Sequence, residues 1–94
     1  MSALPAPDDL AARRAVRPFL HRATGQISFR PLKDDAARAQ PASLCAFLTR
    51  HGVQAEVVEE VPTMPDIHLH AAPDPDRVQI LIDYWLTGGE PPGD

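Results

Sequence analysis

Apolar residues recur along the chain with two different periods, and the switches between them mark out its elements. Ala12, Ala15, Val16, Phe19, Leu20 and Ala23 fall at i, i+3, i+4, i+7, i+8 and i+11, which predicts a helix with one buried stripe. Asp8 and Asp9 suit its N-terminus, where carboxylates meet unpaired backbone N–H groups and the positive end of the dipole. Pro18 lies inside this run. It removes a backbone donor at a cost of about 3 kcal/mol in a regular helix interior, so a kink or an early end is expected there. After Thr24-Gly25 the period becomes two: Gln26 to Arg30 reads as a strand with Ile27 and Phe29 inward, stopped by Pro31. The polar stretch 33–40 reads as a loop or frayed turn leading to Pro41 at the first position of a second helix.

On that second helix Leu44, Phe47 and Leu48 form the apolar stripe, and Gly52 is placed to end it. Val53, Ala55 and Val57 then alternate with Gln54 and Glu56 in a strand. Prolines between Val61 and Pro65 mark a turn, after which Ile67, Leu69 and Ala71 alternate with His68 and His70. The last element is the clearest: Asp74 caps, Pro75 takes the first helical position, Val78, Leu81, Ile82 and Trp85 form the stripe, and Gly88-Gly89 stop it. Ile80, Tyr84 and Leu86 widen this face beyond what one buried stripe requires, so the helix is either deeply sandwiched or covers a partner. Ile80, Tyr84 and Trp85 are therefore the candidate partner-binding residues. Helix, glycine, strand is an α/β signature. The expected architecture is a small sheet of about three strands flanked by three helices. With 94 residues there is room for one domain, residues 1–94, with a loose N-terminal arm at 1–7 and a disordered tail at 90–94.

Charge adds an asymmetry that the pattern does not show. Residues 1–50 carry eight Lys/Arg against four Asp, a net of +4, while residues 51–94 carry one Arg against nine Asp/Glu, a net of −8; together these give the −4 of the whole chain. Such polarity knits the halves together or favours self-association, and the expected partner is a second copy, as a homodimer, or another protein. Arg13, Arg14, Arg17 and His21 lie off the first apolar stripe, as a solvated basic face or an anion site. The arginines are not interleaved with aromatics and no recognition motif accompanies them, so no nucleic-acid partner is expected. No apolar run approaches the ~20 residues needed to span a bilayer, and the first residues lack the basic and apolar regions of a signal peptide. A cytoplasmic protein without membrane association is the expectation. The single cysteine, Cys45, cannot form an internal disulfide and reads as a small buried hydrophobe.

His68-Leu69-His70 is the arrangement that comes nearest to a metal site, because period two puts both imidazoles on one face of a strand. Asp66, Asp74 and Asp76 are nearby sources of carboxylate, yet a solvated His-x-His needs no metal. The adjacent pairs Asp34-Asp35 and Glu59-Glu60 are poor acid/base dyads, Ser28 and Ser43 lack a nucleophile-elbow context, and no glycine-rich phosphate loop occurs. A non-catalytic protein without a cofactor is expected, with small-ligand or metal binding at the His68/His70 face as the alternative.

Asp8-Asp9-Leu10-Ala11-Ala12-Arg13-Arg14-Ala15-Val16-Arg17-Pro18-Phe19-Leu20 resembles the first helix of universal stress proteins. Ser43 to Val58, with its Leu-Cys-Ala-Phe-Leu helix and His51-Gly52-Val53 turn, resembles that family's second helix and following strand. The resemblance covers about residues 8–58 and implies a truncated, Rossmann-like domain that dimerises. The Gly-x-x-Gly loop with which the family's nucleotide-binding members hold phosphate has no counterpart here, so ATP binding does not carry over.

Overall fold

Pro18 decides the first departure from the simple helical reading. In a computed structural model that describes residues 7–59 and 64–91, helix α1 (Pro7–Val16) ends two residues before it. A residue preceding proline is disfavoured in the right-handed helical region, and Arg17 turns into the left-handed one with φ 45°. The early end is the one Pro18 predicted. The placement of Phe19, Leu20 and Ala23 on the helical stripe is corrected: Phe19, Leu20 and His21 form strand β1 (Phe19–His21), with Leu20 buried, Phe19 60% exposed and Ala23 in the following turn. That turn closes on β2 (Gln26–Ser28), Gly25 N–H donating to His21 C=O at 2.9 Å. Gly25 has φ 69°, a conformation that costs an L-residue about 1–2 kcal/mol.

The polar stretch before Pro41 contains a single helical turn, α2 (Asp35–Arg38), capped by Asp34, whose Oδ1 accepts from Ala37 N–H at 2.7 Å. Helix α3 (Gln40–Arg50) follows with Pro41 in its first turn and buries Leu44, Phe47 and Leu48 as their spacing predicted. Strands β3 (Ala55–Val58) and β4 (Asp66–Leu69) form the second hairpin, and α4 (Pro75–Thr87) closes the fold. Residues 1–6, most of the expected arm, and residues 60–63 and 92–94 lie outside the described residues. Within the expected tail, Glu90 is tied down, accepting from Arg50 at 2.8 Å.

Among the described residues the sheet has four strands where about three were expected, in the order β1-β2-β4-β3, and every neighbouring pair is antiparallel. The extra strand is β1, hidden in the helical pattern. A Rossmann-like domain pairs its strands in parallel across helical crossovers, so the α/β class holds while the Rossmann-like arrangement does not. Here the crossover through α2 and α3 carries β3 past an empty lane that β4 then fills. Registry places Leu20, Ile27, Ile67 and Val57 in one row facing the helices, with Leu20, Ile27 and Ile67 buried. Together with Val16, Leu44, Leu48, Val78, Ile82 and Trp85 they form one core between the sheet and a single helical layer. The shortest dimension of the molecule, 16 Å, is that of two layers.

Candidate functional site

Helix α4 is fixed at both ends by the residues that announced it. Asp74 Oδ1 accepts from Asp76 N–H at 3.1 Å, and Gly88 ends the helix in the left-handed conformation, φ 77°, with its N–H on Trp85 C=O at 3.2 Å. Gly89 follows so closely over Tyr84 that a Cβ there would stand 3.3 Å from the ring. These ends set the helix's rotation, which turns Val78, Leu81, Ile82 and Trp85 into the core.

Trp85 is thereby removed from the candidate surface. It is 1% exposed, donates its indole N–H to Ser43 Oγ at 3.1 Å, and has the Arg13 guanidinium 4.9 Å from its ring centre. Arg13 also donates to Trp85 C=O at 2.7 Å and pairs with Asp9, which accepts from the buried Gln40 amide at 3.1 Å. The tryptophan is the centre of the packing of α1, α3 and α4, a position its helical spacing allowed as readily as the outer face. Ile80 and Tyr84 are the two that face outward: Ile80 is 55% exposed, Tyr84 is half-buried, and with Asp83 and Thr87 they line a shallow cleft of about 230 Å³. Gln79 donates to Asp83 at 3.1 Å beside it, leaving the cleft with an apolar floor and a polar rim.

The second exposed feature is the sheet face turned away from the helices. Registry aligns His21, Gln26, His68 and Glu56 across all four strands in one row. His68 and His70 share this face as their spacing predicted, but each has a neighbour: Gln26 Nε2 is 3.4 Å from His68 Nε2, and Glu56 Oε1 is 3.0 Å from His70 Nε2. Among the described residues no group of three or more His, Cys, Asp and Glu is arranged to hold a metal ion. His21, read from the sequence on a basic face beside the first helix, lies on β1 instead and meets Ser28 at 2.7 Å, and Phe19 packs edge-on to His21 with ring centres 4.7 Å apart. The alternation Phe19-Leu20-His21 directly after Pro18 is the signal that would have placed it there.

Cys45 lies half-buried on α3, and burial raises its thiol pKa above the usual value. A hydrogen bond from Thr49 opposes the rise and the charge of Glu56 adds to it. A thiol held neutral is a poor nucleophile, in keeping with its reading as a packing residue.

No helix among the described residues is long and apolar enough to cross a membrane. No protein-family model, no curated protein and no solved structure matches this chain. Its geometry defines a two-layer α/β protein with one bare sheet face and one helix that keeps apolar side chains in water.

Proposed function

We propose that the protein is a non-catalytic association protein that forms a homodimer through the outer face of α4. The observation that carries this is Ile80, a β-branched aliphatic residue 55% exposed beside Tyr84 on a helix whose other side is already filled by Trp85. A two-fold axis brings the same patch onto itself, so one Ile80 and Tyr84 pair covers its copy. Burying an isoleucine side chain fully is worth about 1.5–3 kcal/mol, and Ile80, 55% exposed, has roughly half of that left to gain in each copy. The Gln79–Asp83 hydrogen bond keeps the rim's acceptor engaged as the patch closes. The resemblance to universal stress proteins implies dimerisation too, but the antiparallel sheet differs from the one it implies, and the surface of α4 supports the proposal without it.

Light scattering of the intact protein tests the idea. The wild type should show twice the 10.2 kDa chain mass, and Ile80→Asp should run as a folded monomer. Trp85→Asp is unsuitable for this purpose because it would place an unpaired charge in the core, where it should destabilise the fold itself. A monomeric wild type, or an Ile80→Asp variant that remains dimeric, would overturn the proposal.

A further inference from the structure

The nine Lys and Arg residues divide sharply into two sets. Arg13, Arg22, Arg38 and Arg50 form ion pairs with Asp9, Asp76, Asp35 and Glu90, and Arg77 donates to His51 C=O. Arg14, Arg17, Arg30 and Lys33 have neither an ion pair nor a side-chain hydrogen bond among the described residues, in a chain with 13 Asp and Glu. Chain geometry gathers these four. Arg14 is in the last turn of α1 and Arg17 just beyond it, while Arg30 leaves β2 with its N–H on Val16 C=O at 2.9 Å, and Lys33 follows.

Arg30 and Lys33 line a cleft of about 520 Å³ together with Ala15, Val16, Pro31, Asp34 and Ala37. Its volume falls in the range of roughly 300–1,000 Å³ usual for small-molecule sites. Ala15, Val16, Pro31 and Ala37 supply an apolar wall. The one acid in the lining, Asp34, has an oxygen committed to the cap of α2, accepting from Ala37 N–H at 2.7 Å. At the end of α1, Val16 C=O is taken up by Arg30 N–H and Arg14 C=O by Arg17 N–H at 3.3 Å, which blunts the negative end of that helix.

We infer that this cleft binds a small organic anion, a phosphate or carboxylate carried on a short apolar body. The guanidinium of Arg30 offers a planar fork of donors for two oxygens, and Lys33 adds a mobile point charge. Arg14 and Arg17, on the segments that border the cleft, raise the local anion concentration. The apolar body lies against Ala15, Pro31 and Ala37. None of these residues belongs to the α4 surface, so the site stands or falls independently of the dimer.

Phenyl phosphate, with inorganic phosphate as its comparison, is a suitable probe in a titration of the intact protein followed by backbone amide NMR. Saturable shifts should concentrate at residues 15–17 and 30–37, and phenyl phosphate should bind more tightly than inorganic phosphate. Arg30→Ala with Lys33→Ala should weaken binding by about ten-fold or more while the melting temperature stays near that of the wild type; Arg50→Ala should leave binding unchanged. Benzoate in place of phenyl phosphate shows whether carboxylate is accepted at the same residues. Shifts that do not saturate, equal affinity for inorganic phosphate, or unchanged binding by the folded double variant would overturn the inference.

Discussion

Three side chains show how much the environment of a residue adds to its type. Trp85 and Ile80 sit on the same helix, both apolar, yet one is fixed in the core by an indole hydrogen bond and an overlying guanidinium while the other is in water. Periodicity identified the helix as over-apolar; which apolar residue was surplus depended on the packing of α1 and α3 around Trp85. Cys45 is the third case. Its thiol pKa is raised by burial, so the neutral form is favoured in the folded state relative to the unfolded chain. The resulting stabilisation is fully present below the unfolded thiol pKa and is lost as pH rises through the folded one. Alkylation of native Cys45 by iodoacetamide should therefore be slower than that of the urea-unfolded chain at neutral pH, and its rate should climb only at a higher pH than in the unfolded chain. Equal pH profiles for the two states would contradict the assigned burial effect.

Among the elements, those with chemical punctuation were legible and those defined by distant partners were not. Asp74, Pro75 and Gly88 bound α4 as read, and Pro41 and Gly52 bracket α3. Strand β1 escaped because Phe19 and Leu20 also fit the helical stripe of α1; Pro18 ends the helix, but only pairing with β2 makes the next three residues a strand. Strand direction and order were beyond local pattern, since they depend on β4 entering between β2 and β3. In the candidate site, Ile80 and Tyr84 and the shared face of His68 and His70 were legible from spacing, whereas the His21–Ser28 contact required the hairpin to form first. Gly88 gives the element-scale test. At φ 77° an alanine pays the left-handed conformational penalty, so Gly88→Ala should lower stability by about 1 kcal/mol in urea unfolding. Gly89→Ala, without a positive φ but 3.3 Å from the Tyr84 ring, should act instead on the α4 surface, displacing that ring.

At the scale of the whole molecule, the opposed charges of the two halves suggest a fold held together electrostatically, and the magnitudes argue otherwise. Among the described residues two ion pairs join the halves, Arg22 to Asp76 at 2.7 Å and Arg50 to Glu90 at 2.8 Å, but all four side chains are substantially exposed. Exposed pairs contribute about 0–1 kcal/mol each and are screened by salt. The core that spans the same halves, Ile27 against Ile67 and Leu44 and Leu48 beneath Trp85, contributes far more, since truncating one such side chain costs about 2–5 kcal/mol. Arg22→Ala and Arg50→Ala should thus each shift the unfolding free energy by less than about 1 kcal/mol, and added sodium chloride should change the melting temperature little. Anion binding at Arg30 and Lys33 should weaken over the same salt range, because there exposed cations supply the main attraction for the ligand and salt screens it. A melting temperature that falls steeply with salt would instead make the charged halves, and not the shared core, the main bond between them.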